Sequence, residues 1–327
     1  MSLRKPKEPV SPFIRSGASS RRIMLCVILA LLPAAITGCL NYGLSAAALL
    51  GVTVGTAALS ELLFRAVTRK QQTVQDFSAV VTGLLLGMTL PPDFPLWKAA
   101  IGSAFAIIIV KQLFGGIGKN FANPAATAKI LLMVLFMDDM TVWRLPLTDS
   151  LFTLPDNVQT ASAVVTQTPL TGAHATYWDL LLGNTAGNIG ETCALGILLG
   201  AVFLWLTRIS SPVAPLTCIG SFTLLTALGG YDVPAQLLSG GFLLGACFMT
   251  SDYTTVPVTR GGKCLFGLGC GVLTFLIRHY GGYPEGIPFA IVMMNLLTPY
   301  LERFTKPHPF GAAYPVKKKR SVSERSC

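Results

Sequence analysis

Apolar stretches separated by short polar connections recur ten times along the chain, near residues 22–40, 43–64, 76–90, 97–114, 124–137, 191–207, 212–229, 234–250, 262–279 and 286–301. A helix needs roughly 20 apolar residues to cross the hydrocarbon core of a bilayer. Most of the stretches approach that length. The 76–90 and 124–137 stretches are short, which predicts tilt, a break or flanking re-entrant backbone. An open sheet edge cannot satisfy its hydrogen bonds in lipid, so the pattern predicts an all-α integral membrane protein with about ten transmembrane helices. Composition agrees: the 327 residues are 52% hydrophobic and 12% charged, with a mean hydropathy of +0.59. A soluble domain carries about a quarter charged residues.

Charge sets the expected orientation. Of the 25 Lys and Arg residues, all but Lys98, Arg144 and Arg278 fall on the N-terminal tail, on every second connection, or on the C-terminal tail. The even connections carry Arg65, Arg69 and Lys70, then Lys111, Lys119 and Lys129, then Arg208, then Arg260 and Lys263. The positive-inside rule makes that side cytoplasmic, with both termini in. The net charge of +10 then reads as topology charge lying against lipid headgroups, not as a nucleic-acid footprint. Residues 1–22 are polar and lack a small-residue cleavage site, so no cleavable signal is expected.

Short markers recur five spans apart. Gly83-Leu84-Leu85-Leu86-Gly87 echoes Gly241-Phe242-Leu243-Leu244-Gly245, and Phe114-Gly115-Gly116 echoes Tyr280-Gly281-Gly282. An odd number of intervening spans turns the second copy upside down, which predicts two inverted five-helix repeats. The expected organisation is a basic tail (1–21), a first half (22–137), an extracytoplasmic loop (138–190), a second half (191–303) and a second basic tail (304–327). Gly- and Pro-rich breaks then pair up. Residues 115–124 and 251–257 face the cytoplasm, while 91–95 and 281–288 face outside. Backbone broken at membrane depth is tolerated where protein, water or a bound group satisfies it.

Few residues suggest metal chemistry or catalysis. The eight cysteines form no CxxC pair and read as small hydrophobes, and the three histidines lack ligand spacing, so neither a metal nor a catalytic residue is expected. Glu61, Asp76 and Lys111 lie near span ends, where snorkelling accounts for them. Glu191 opens a span as an N-terminal helix charge.

The outer loop contains Ala161-Ser162-Ala163-Val164-Val165-Thr166-Gln167-Thr168-Pro169-Leu170. Pro169 biases Thr168 to an extended backbone that presents its hydroxyl. Around it, SPFIRSG (11–17), FSAVVTGLLLGMTLPP (77–92), VKQLFGGIGKNFANPA (110–125), LSGGFLLGACFMTSDYTTVPVT (238–259) and FGLGCGVLTFLIRHYGGYPEG (266–286) follow in order. These blocks resemble the family that contains the D component of the Rnf complex, a membrane ferredoxin:NAD oxidoreductase that couples electron flow to sodium or proton movement. The B component of the sodium-pumping NADH:quinone reductase is its relative, and the compact length favours the Rnf member.

The resemblance implies FMN attached by a phosphoester to a threonine in a D-x-x-[ST]-[GS]-A-T pattern followed by Pro-Leu. That threonine falls on Thr168, with Thr166 as the alternative acceptor. Ser162, Val165 and Gln167 depart from the pattern. A covalent link would keep the flavin concentrated outside the cell, where a dissociating one is diluted. The resemblance also implies a second, non-covalent flavin, riboflavin, near the cytoplasmic face. Asn120, Asn123 and Asp252 on the inner loops are the candidates to hold its polar edge. Turn and cap roles compete for the same side chains. The implied partners are the A, B, C, E and G components of Rnf, with the flavoprotein G outside and the NAD-reducing C inside, together with a flavin transferase. The alternatives are a B-type component of the quinone reductase, or a flavin-free solute channel or transporter on the same fold.

Overall fold

The computed structural model describes residues 19–144, 146, 164–165, 176–281 and 285–306; Thr166, Thr168 and residues 1–18 and 307–327 lie outside them. Among the described residues the chain is helical, apart from a two-residue antiparallel pair. The first helices are α1 (Ser20–Tyr42), α2 (Leu44–Val67), α3 (Ser78–Met88), α4 (Leu96–Phe105, continued by a π-helical segment Ala106–Gln112) and α5 (Pro124–Leu135). A short α6 (Met137–Met140) leads into the pair, in which Trp143 lies opposite Val165 and Arg144 opposite Val164. Beyond it come α7 (Tyr177–Leu182), α8 (Ala194–Leu206), α9 (Val213–Leu228), α10 (Val233–Leu238), α11 (Phe242–Leu244, continued by a π-helical Gly245–Met249), α12 (Arg260–Tyr280) and α13 (Ile287–Thr305).

The helices α1, α2 and α12 are each long and apolar enough to cross a membrane. Leu29 and Ile36 on α1, Leu63 on α2, Leu199 on α8 and Leu224 on α9 are exposed, an exterior suited to lipid and not to water. Ser19 caps α1 by accepting from the Arg22 amide (3.3 Å). Gly43 then ends α1 and starts α2 as a single-residue hinge; its φ of 70° is closed to most side chains. With lipid outside, helices associate by close backbone contact. Gly83 and Gly87 let α3 lie directly on Thr53, Val54 and Leu50 of α2, and Gly267 and Gly271 let α12 lie on Ala214 and Cys218 of α9.

Several helices stop inside the protein, where their ends need partners. The 11-residue α3 is far too short to span a bilayer. Its freed carbonyls are taken by the segment before α8: the Gly190 amide donates to Met88 (2.8 Å) and the Ile189 amide to Leu90 (3.1 Å). The stretch expected as one span at 234–250 is broken at Ser239-Gly240-Gly241, where both glycines have positive φ. The Arg278 guanidinium fills that break, donating to the carbonyls of Gln236 (2.7 Å), Ser239 (3.1 Å) and Gly240 (3.0 Å). An arginine read from the sequence as lying on the outer side is thus an internal replacement for missing helix hydrogen bonds.

Candidate functional site

One cavity opens where the start of α1, the start of α3, the end of α4, the 117–125 segment, the end of α8 and the 248–254 segment converge; it encloses about 790 Å³ including solvent at its mouth. Its walls are largely apolar, with Val81, Leu85, Ile117 and Phe248 among them, and its polar groups include Ser78, Lys111, Ser210 and Ser251. Asn120, Asn123 and Asp252 all line it, so the structure brings together three residues that lie up to 132 positions apart in the chain.

The three are not equivalent. The Asn120 Oδ1 is buried without a hydrogen-bond partner among the described residues, and so is the Ser210 Oγ, which also lines the cavity. Unpaired buried polar atoms are costly, and two from residues lining one cavity suit a ligand or water. Asn123 is the N-cap of α5: its Oδ1 accepts from the amides of Ala125 (3.1 Å) and Ala126 (3.2 Å). The carbonyl of that side-chain amide is thus committed to the fold. Asn295 of α13 steadies the same turn by accepting from the Asn123 amide (2.9 Å). The carboxylate of Asp252 closes a turn with the Thr254 amide (3.0 Å) and hydroxyl (2.8 Å). Burial pushes its carboxyl above the usual range, partly offset by the Thr254 and Thr255 donors.

Lys111 is at the cavity wall but is not a snorkelling side chain. It is 1% exposed, as against 0% for Glu61, and its Nζ donates to Glu61 Oε2 (2.9 Å) and Ser78 Oγ (2.6 Å). The other oxygen of Glu61 accepts from Thr73 Oγ1 (2.6 Å) and Gln112 Nε2 (2.8 Å). Arg65 completes the group, donating to Gln112 Oε1 (3.2 Å) and to the Gln71 carbonyl (2.6 Å). Burying a charge costs several kcal/mol unless it is paired, and this pairing is what allows Glu61 to sit in the interior.

A second buried cluster lies at the other end of the bundle. Lys129 of α5, read from the sequence as a topology charge, is 1% exposed and donates to Glu191 (2.9 Å), and it also pairs with Glu285. Asn188 joins the two carboxylates, donating to Glu191 Oε2 (2.7 Å) and Glu285 Oε1 (2.5 Å), and accepts from Trp143 Nε1 (3.2 Å). Glu191 is therefore a pairing partner, not the helix-start charge expected for it. A lysine inside PAATAKILLMVL was the available signal, since charge within an apolar run is expensive and needs a reason. Neither Thr168 nor Thr166 can be placed, as both lie outside the described residues.

A largely apolar lining with a few polar groups is the usual make-up of a small-molecule site. Comparison with known proteins gives the family. The profile of the NQR2, RnfD, RnfE family matches residues 8–311. Among curated proteins, the chain is 40% identical to the D component of the Na(+)-translocating ferredoxin:NAD(+) oxidoreductase complex of Acetobacterium woodii, covering 92% of this chain and 94% of that one. It is 38% identical to the D component of the proton-translocating ferredoxin:NAD(+) oxidoreductase complex of Clostridium ljungdahlii, over 92% and 95% respectively. It is also 38% identical to the D component of the ion-translocating oxidoreductase complex of Stutzerimonas stutzeri, over 91% and 93%. With a profile match across nearly its whole length and relatives of this similarity, the chain is a member of the NQR2, RnfD, RnfE family.

Proposed function

We propose that this chain is the D component of an ion-translocating ferredoxin:NAD oxidoreductase complex, carrying electrons across the membrane through two flavins. One is FMN on Thr168 at the outer face, installed by a flavin transferase. The other is a non-covalent flavin, riboflavin, in the cavity at the basic, cytoplasmic end. Electrons enter from the flavoprotein G component outside and leave toward the NAD-reducing C component inside, with the A, B and E components completing the assembly. The ion moved is Na+ or H+, as in the relatives from A. woodii and C. ljungdahlii.

The observation that carries this reading is the convergence of Asn120, Asn123 and Asp252 on one apolar cavity, with the Asn120 oxygen and the Ser210 hydroxyl unpartnered among the described residues. A flavin ring is apolar on its faces and alternates donors and acceptors along one edge, and these side chains supply both. The Asn123 amide nitrogen and Asn120 would hold that edge, Ser210 and Asp252 a hydroxylated tail, and Val81, Leu85 and Phe248 the faces. When bound, the flavin supplies the electron transfer; the protein orients the ring and tunes it with nearby charge. Lys111 stands at the same wall, paired with Glu61.

One further feature supports a pair of inverted halves. Phe77 (φ 59°) and Gly241 (φ 65°) are left-handed residues placed immediately before α3 and α11, the short helices that begin beside breaks.

The test is direct. Intact complex is purified and denatured, and released small molecules are separated from protein. Free flavin is expected in an amount equal to this chain, and peptide mass spectrometry is expected to place an FMN adduct on Thr168. Intact complex that releases no flavin would refute the cavity assignment. An unmodified Thr168 from cells containing the transferase would remove the outer site.

A further inference from the structure

The ion pair beside the cavity is connected in a way that charge neutralisation alone does not require. Lys111 and Ser78 both line the cavity, and both are joined through Lys111 Nζ to Glu61. From Glu61 the connection continues to Thr73 Oγ1 (2.6 Å), in a half-buried position beside the exposed Gln71 and Gln72. A lysine, a carboxylate and a hydroxyl therefore stand in line between the cavity and the basic surface, each able to give and receive a proton. The charged groups acting on Lys111 are Glu61 and Arg65 from α2 and Asp76 from the turn before α3; Asp252 also lines the cavity. Arg65 is bonded to Gln112 and the Gln71 carbonyl and lies 3.9 Å from Glu61 as a second cation; as a guanidinium it does not release its proton, so it holds the line in place without carrying protons along it.

We infer that Lys111 delivers protons to the redox group in the cavity, and that Glu61 and Thr73 refill it from the basic face. The inference rests on the flavin reading above. As electrons reach the ring from a reduced carrier protein of the complex, Lys111 gives one Nζ proton to a ring nitrogen. An ammonium N–H bond breaks, a ring N–H bond forms, and Lys111 is left as the neutral amine. Glu61 takes a proton that enters from water through the Thr73 hydroxyl and passes it to the amine. The ammonium–carboxylate pair is restored, and the net change is one proton from water per ring N–H formed.

Arginine separates this role from a structural or purely electrostatic one, because it keeps the positive charge but does not release its proton. Intact complex in a weakly buffered solution with a pH indicator is reduced in a stopped-flow instrument by excess reduced methyl viologen, a one-electron donor whose oxidation releases no proton. Proton uptake and flavin bleaching are followed together. The wild type is expected to take up protons in step with bleaching. Lys111→Arg and Lys111→Met are both expected to slow uptake by about a hundredfold, the scale of positioned proton transfer, with flavin content unchanged. Thr73→Val is expected to slow it less, and Thr73→Ser to restore it.

Wild-type uptake rates in a flavin-containing Lys111→Arg complex would overturn the inference and leave the flavin reading intact. Should the lysine variants fail to assemble, Thr73→Val at a half-buried position decides: unchanged uptake overturns the inference. A wild-type complex without non-covalent flavin sinks the parent reading, and this one falls with it.

Discussion

The two buried charge clusters use the same residue types for different ends. Lys129, Glu191 and Glu285 meet away from the cavity, and Asn188 and Trp143 complete the group. The cluster binds α5 to the segments that lead into α8 and α13, so its charges act as internal fastening. Glu61 and Lys111 share an equally buried pair, but one side of it forms a cavity wall and the other reaches a surface turn through Thr73. A sealed cluster contributes mainly to stability. A cluster with two openings is placed to move charge. Buried ion pairs in membranes should therefore be sorted by what their outer hydrogen bonds reach, not by depth alone.

That contrast can be broken by mutation. The largest effect is expected for Lys129→Met, which leaves two buried carboxylates without their cation. Breaking such a pair costs about 3–5 kcal/mol, so the variant complex should unfold at clearly lower temperature in a thermal melt or fail to accumulate. A near-normal melt would show that the cluster is not a fastening. Glu61→Gln keeps the shape and an acceptor oxygen, and Lys111 retains Ser78. Its expected cost is about 1–3 kcal/mol in the same melt, while proton uptake falls sharply. A loss of stability as large as that of Lys129→Met would erase the distinction.

Smaller effects separate the two asparagines. Removing the N-cap in Asn123→Ala should cost about 0.5–2 kcal/mol of stability, read from denaturation. Asn120→Ala gives up a carbonyl oxygen that has no partner within the described protein. It should leave stability alone while weakening flavin retention by about 2- to 12-fold, the equivalent of one net hydrogen bond. Titrating riboflavin back into flavin-depleted complex, with fluorescence quenching as the readout, measures this.

The sequence made some of these features visible and hid others. Local hydropathy was enough to locate the apolar segments, and the paired Gly- and Pro-rich breaks were enough to bring Asn120, Asn123 and Asp252 to one place. The ion pairs were hidden because their partners lie 50 residues apart for Lys111 and Glu61, and 62 for Lys129 and Glu191. A lone charge near the end of an apolar run gives the same local signal whether it reaches headgroups or turns inward. The break at Ser239-Gly240-Gly241 was hidden for a related reason: an averaged hydropathy window passes over three small residues that φ angles reveal. The Asn123 cap was legible as the Asn-Pro pair opening α5, and the residue that makes it also lines the cavity.

The widened turn at the end of α4 carries a consequence for engineering. Lys111 and Gln112 are neighbours in sequence, yet both reach Glu61, because Ala106–Gln112 is wound as a π-helix. Such a segment holds one residue more than an ordinary helix of the same length would. Deleting one of Ile107, Ile108 or Ile109 should let the widened turn close to an ordinary α-helix while the chain from Leu113 onward keeps its place, so that Lys111 and Gln112, inside that turn, lose their shared reach to the carboxylate. A shortened α4 should thus leave the span itself able to form but spoil its chemistry, so a one-residue gap here in any related sequence marks a protein that has rebuilt this corner.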